Sequence, residues 1–212
     1  MYNKRDKCKQ YMANKIYDDI KKRISDYPDG TVFFTSDFLD IATLSTIRKC
    51  LGRQVSTGTI RRIFDGVYEK PKYSKLLNSY IPADPDKVAH AIAKKYHWTI
   101  SPCGDVALNK LGLSTQVPAI WSYVSDGPYR DFSWDNITIS FKHRSNREIS
   151  FMSDISITVV EALKALGKEH ITEQTISYLQ KKLSRKEKET IAKETTDITS
   201  WIYEILRKVC IT

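Results

Sequence analysis

The stretch Thr43-Leu44-Ser45-Thr46-Ile47-Arg48-Lys49-Cys50-Leu51-Gly52-Arg53-Gln54, with the β-prone runs 59–64 and 67–69 placed around Asp65-Gly66, decides the fold. At 100° per residue, Leu44, Ile47 and Leu51 share one face of a helix, with Cys50 at its edge. That face is expected to pack inward. Ser45, Lys49 and Arg53 point the other way, with Thr46 and Arg48 on the flanks, and the helix carries no carboxylate. Asp65-Gly66 is a hairpin turn, because Gly66 tolerates the positive φ that a tight connection needs. Arg61 and Arg62 are adjacent on one strand of that hairpin and face opposite sides, so at most one of them meets a groove directly. Working outward, residues 10–24 place Tyr11, Ile16, Ile20 and Ile24 mainly on one helical face. Tyr27-Pro28-Asp29-Gly30 is a turn, 31–35 is short and β-prone, and Ser36 is expected to cap a brief helix over 37–42. Helix, strand, helix, turn, helix and two-stranded wing is the order of a winged helix-turn-helix. Its reader helix fits the width of the major groove of double-stranded DNA. The candidate DNA-binding residues are Ser45, Thr46, Arg48, Lys49, Arg53, Arg61 and Arg62. The competing reading is a winged helix that only docks against protein, with its charges solvated.

Charge favours the polyanion. The 212 residues carry a formal net charge of +9. Residues 1–80 hold 16 Lys+Arg against 9 Asp+Glu, a net of +7, which leaves +2 for the rest. A local basic excess of this kind suits nucleic acid. Apolar residues at 41% and charged residues at 28% fit a folded globular chain rather than a disordered one. Cys8, Cys50, Cys103 and Cys210 form no CxxC pair and read as reduced thiols in cytoplasm. The opening MYNKRDKCKQ has no apolar core behind its charges, and no run approaches the ~18 apolar residues of a membrane span. A soluble, cytoplasmic protein with no membrane partner is expected.

After a connector over 76–86 with Pro82 and Pro85, a second domain is expected. Its predicted elements are a helix over 87–96, an extended 99–101, and a helix over 105–111 capped by Asp105 and ended by Gly112. A strand over 120–124 follows, then a hairpin of 137–143 with 148–152 across Ser145-Asn146. Helices over 154–166, 172–183, 185–195 and 197–209 complete it, with a Ser184/Glu187 capping box. Trp98 and Trp121 read as core aromatics. The fold class is therefore α+β, with a DNA-binding domain at 1–75 and a mixed, C-terminally helical domain at 80–212. No enzyme signature stands out, and no cofactor or metal is implied. Cys103 lies near His90 and His97 in sequence, but no third partner is fixed. Asp19-Ile20-Lys21, the nearest approach to a nuclease motif, sits on a predicted helix. His90, His97, His143 and His170 lack ligand spacing, and there is no phosphate-binding loop.

The run Tyr96-His97-Trp98-Thr99-Ile100-Ser101-Pro102-Cys103-Gly104-Asp105-Val106-Ala107-Leu108-Asn109 is distinctive. So are Leu111–Pro118, Trp121–Gly127 and Ile137–Lys142. With the wing Arg62-Ile63 to Gly66-Val67-Tyr68, closing on Lys70-Pro71, they resemble the AbiEi-like family of type IV toxin–antitoxin antitoxins over about residues 31–145. The resemblance implies a bacterial abortive-infection regulator that represses its own operon by binding its own promoter. It also implies that the protein counteracts a nucleotidyltransferase-like toxin without necessarily touching it. The tail after Met152 carries no matching motif. Thr115 and Gln116 are a candidate loop for a ligand or partner, or else they satisfy backbone groups in a tight turn. Two other functions stay open: an interaction module that binds RNA or protein through the second domain, and a hydrolase or nuclease.

Overall fold

The computed structural model describes residues 4–145, 149 and 151–211. The fold is α+β and falls into two compact units, divided between Ala91 and Ile92. The first unit is a winged helix-turn-helix. Helix α1 (Lys4–Ser25) leads to β1 (Val32–Phe34), a 3-10 turn (Thr35–Phe38) and α2 (Leu44–Ser56), then β2 (Arg61–Phe64) and β3 (Val67–Glu69). The sheet order is β1-β3-β2, antiparallel throughout, and Tyr68 is opposite Phe33 on one side and Arg62 on the other. Gly66 takes φ 76° at the wing turn, as the Asp65-Gly66 pair predicts. Ile20 and Ile24 of α1 and Ile47, Cys50 and Leu51 of α2 close on Phe33, Phe38, Ile60 and Tyr68. Burying an aliphatic side chain of this size contributes roughly 1.5–3 kcal/mol. The Lys70 ammonium ties α1 to the sheet by donating to the Ser25 and Tyr27 carbonyls at 2.9 and 2.7 Å.

Four expectations for this unit are corrected. Helix α1 begins at Lys4 rather than at residue 10. The brief helix over 37–42 is the 3-10 turn, and Ser36 lies inside it; the Asp37 carboxylate accepts from the Phe34 N–H at 2.8 Å. Leu44 is 41% exposed, because the first turn of α2 precedes the residues that reach the core. The connector after Glu69 contains a hairpin, β4 (Tyr73–Ser74) with β5 (Ser79–Tyr80).

Helix α3 (Pro85–Tyr96) carries the division between the units. The second unit holds β6 (Ile100–Pro102), α4 (Asp105–Leu111), β7 (Ile120–Ser125), β8 (Arg130–Trp134) and β9 (Ile137–His143). Helices α5 (Asp154–Leu166), α6 (Glu173–Lys182), α7 (Arg185–Glu194) and α8 (Ser200–Cys210) follow. The sheet order is β6-β7-β9-β8, with β7 and β9 parallel and the outer pairs antiparallel. Residues 156–163 of α5 are all buried, because that helix packs on both the sheet and the helical tail. Strand 137–143 is present, but its hairpin partner is β8. Of the partner expected at 148–152, Phe151 lies in a turn, while Glu148 and Ser150, like Asn146, fall outside the described residues. Gly104 rather than Asp105 occupies the cap position of α4. Trp98 and Trp121 are only partly buried; Trp98 stacks on Tyr96 and meets Phe141 edge-on. The Ser184/Glu187 capping box forms in full. Among the described residues, no helix is long and apolar enough to cross a membrane.

Candidate nucleic-acid interface

Helix α2 divides cleanly by side. Ile47, Cys50, Leu51 and Gln54 are buried, spaced at i, i+3, i+4 and i+7. Ser45, Arg48, Lys49 and Arg53 are exposed, and Thr46 is half-buried beside them. The structure thus brings five of the seven expected residues onto the outer side of one helix. Thr43 stands at the N-cap but makes no bond to the helix backbone through its side chain. Its hydroxyl lies 3.1 Å from that of Thr46 and 3.3 Å from that of Ser45. The helix entrance therefore presents three clustered hydroxyls, next to first-turn N–H groups of the kind that donate to phosphate.

The nearby Asp40 carboxylate is neutralised locally. Arg23 holds Asp40 through two bonds, of 2.8 and 2.6 Å, and also donates to the Asp37 carbonyl at 2.9 Å. The guanidinium bond keeps the Asp40 carboxyl below its ordinary range. The carboxylate just ahead of α2 is thereby offset by a cation.

The wing separates its two arginines, as strand alternation requires. Arg62 is exposed and pairs with Asp65 across the turn. Arg61 turns the other way, giving 2.5 Å to the Glu69 carboxylate and 3.0 Å to the Ile81 carbonyl. Glu69 is 3% exposed, and Arg61 is the cation that pairs with it. Arg61 is therefore a half-buried cation of the sheet, held there because buried Glu69 is directly opposite it in register. Sequence reasoning passed over Lys72 and Lys75, both exposed. Their signal is a run, residues 70–83, with three lysines and no acid.

Thr115 and Gln116 belong to the second unit, in an exposed loop between α4 and β7. Asn109 donates to the Gln116 carbonyl at 3.1 Å, and the Gln116 N–H donates to the Ser114 hydroxyl at 3.2 Å, so the loop backbone is bonded while both side chains stay in solvent. Cys103 is buried, and that burial pushes its thiol up to about 11. At neutral pH it is a protonated core group and a poor nucleophile. His143 and His170 each engage a backbone carbonyl through Nδ1, at 2.8 and 3.0 Å. The second unit also holds a cavity of about 860 Å³, with Val124, Ile157 and Met152 among its apolar walls and Glu161 and Lys164 among its charged ones.

A family model described as "Family of unknown function (DUF6088)" matches residues 19–191, a span that includes α2, the wing, the β4–β5 hairpin and the mixed sheet. No curated protein matches the chain.

Proposed function

The chain belongs to this family of unknown function, DUF6088, and we propose that it is a DNA-binding transcriptional repressor of the antitoxin type. In this reading it is cytoplasmic and represses its own operon by binding its own promoter. The observation that carries the reading is the outer side of α2. Arg48, Lys49 and Arg53 stand there with Ser45 and Thr46, without a carboxylate, on a helix whose opposite side is locked into the core. Guanidinium and ammonium donors on a groove-sized helix suit guanine edges and phosphates. Arg62 on the wing adds a cation placed for the backbone. The functional link to a nucleotidyltransferase-like toxin rests on the resemblance of residues 31–145 to AbiEi-like antitoxins, and it requires no direct contact.

Competition binding on upstream and random duplexes at two salt concentrations tests the proposal. Lys49→Ala or Arg53→Ala is expected to narrow the gap between the two duplexes, since a bidentate base contact carries ~1–3 kcal/mol of discrimination. Arg62→Ala is expected to weaken both equally. If upstream DNA is bound no tighter than random DNA, the repressor reading fails.

A second reading, an RNA- or protein-binding module in the second unit, is favoured by one surface. The Arg130 guanidinium lies 5.2 Å over the Tyr96 ring and 5.0 Å over the Phe132 ring, and Tyr129, its neighbour in sequence, is 71% exposed. Aromatic and cationic groups side by side suit unpaired bases. Loss of single-stranded RNA binding in Tyr129→Ala, with duplex DNA binding unchanged, would support it.

A further inference from the structure

The β4–β5 hairpin, on the same unit as α2, has a tip built to be rigid and left in solvent. Tyr73 pairs with Tyr80 and Ser74 with Ser79. The two tyrosine rings meet edge-on at 5.2 Å, and the Tyr73 hydroxyl donates to Asn78 Oδ1 at 2.5 Å. The Leu77 N–H donates to the Ser74 hydroxyl at 3.2 Å, and Asn78 takes the left-handed conformation (φ 49°) that closes the turn. The base is equally fixed. The Ile81 N–H donates to the Lys72 carbonyl at 2.8 Å, and Arg61, itself held by buried Glu69, donates to the Ile81 carbonyl at 3.0 Å. At the tip stand Leu76, 95% exposed, and Leu77, 68% exposed. Lys72 and Lys75 flank them in solvent, and no acid occurs between residues 70 and 83.

Two adjacent leucines on a stiff, cationic ribbon need a partner that is apolar at its centre and anionic at its rim. A second copy of the hairpin does not qualify. A two-fold contact through it would gather four lysines with no carboxylate from either hairpin to offset them. The minor groove of duplex DNA does qualify, because aliphatic side chains wedge between its base steps and phosphates line its edges. We propose that the β4–β5 hairpin is a second wing that enters the minor groove, with Leu76 and Leu77 as the wedge and Lys72 and Lys75 on the flanking phosphates. The proposal rests on the DNA-binding reading above, and it gives Arg61 a purpose: through Ile81 it anchors the hairpin that touches DNA.

The 212-residue chain, a dye-labelled duplex from its upstream region and two double variants test this. Affinity is read by anisotropy at several salt concentrations, bending by energy transfer between the duplex ends, and folding by circular dichroism. Leu76→Ser/Leu77→Ser is expected to lose affinity about tenfold and to abolish the bend, with the salt slope unchanged. Lys72→Ala/Lys75→Ala is expected to flatten the slope by about two. Wild-type affinity, bend and slope in both folded variants would overturn the second wing and leave the α2 reading standing. A wild-type dimer that the leucine variant turns into a monomer, by sedimentation velocity, would overturn it in favour of contact between copies. No duplex binding by the wild-type protein would overturn both readings.

Discussion

Burial, more than the charges around it, sets the chemistry of Cys103. Desolvation pushes its thiol from 9.0 to about 11, so between those values the native state holds a proton that the unfolded chain releases. The contribution to stability is therefore full below pH 9 and lost as the pH rises toward 11. At 1.36 kcal/mol per pKa unit it amounts to roughly 2–3 kcal/mol. Cys103→Ala lacks this term. Its urea midpoint should lie below that of the wild type at pH 8 and close on it by pH 10.5. A constant gap would mean the thiol does not titrate as its burial dictates. Gln54 is the opposite case, a polar group buried without compensation. It is 1% exposed, and neither atom of its amide finds a partner among the described residues. An unsatisfied buried group costs about 1–3 kcal/mol, so Gln54→Met, of similar length, is expected to raise the thermal midpoint. A lower midpoint in calorimetry would show that the amide is satisfied after all.

Helices in this protein are tied at their ends, and those ties titrate or yield in specific ways. Glu194, at the end of α7, accepts from the Ser153 N–H at 2.8 Å, the Ser153 hydroxyl at 2.7 Å and the Ser156 hydroxyl at 2.6 Å, at the start of α5. Burial by itself would raise this carboxyl, but those three bonds outweigh it and the group is lowered. A lowered carboxyl stabilises above its unfolded pKa and loses that contribution as the pH falls through the folded one. Glu194→Gln should therefore be less stable than the wild type at pH 7, with the difference shrinking toward pH 3 in denaturant titrations. Helix α2 offers a different test at Gly52, which is exposed on the outer side with open space where a Cβ would stand. Alanine there should stabilise folding by about 0.5–1 kcal/mol. If the helix lies against DNA at that point, the added methyl also weakens duplex binding; unchanged affinity would place the closest approach elsewhere on α2. Much at this scale was legible from local signals. Gly112 stops α4 at the expected residue, and Ile137–His143 is a strand as its alternation requires. Strand β8 was missed although Arg130, Phe132 and Trp134 alternate with Asp131 and Ser133, because β9 also pairs in parallel with distant β7 and nothing local ranks the two neighbours. Alternation likewise showed that Arg61 and Arg62 diverge, but only the burial of Glu69 shows which one faces inward.

At the scale of the whole molecule, the net charge of +9 fits both a nucleic-acid binder and a well-hydrated surface, and salt is the variable that separates them. Net charge alone produces a diffuse attraction to any polyanion. Cations lodged against phosphates release counterions one by one, so log K falls with log salt at about −0.9 per contact on duplex DNA. Arg48, Lys49 and Arg53 are exposed on α2, and Arg62 is exposed on the wing, where it also pairs with Asp65, while Arg61 and Lys70 are held by buried Glu69 and by backbone carbonyls. If three or four of the exposed set reach phosphates, the slope is expected near −3 to −4, and near −5 if Lys72 and Lys75 also engage. Two controls make the number diagnostic. Arg61→Ala should reduce stability, since it strands buried Glu69, whereas Arg62→Ala should cost one unit of slope with little effect on the unfolding midpoint. Lys186→Ala and Lys193→Ala, exposed on α7 in the second unit, should leave the slope unchanged. A slope close to zero, or one that falls equally with cations from either unit, would identify the basic excess as solvated surface charge and remove the electrostatic support for DNA recognition by α2.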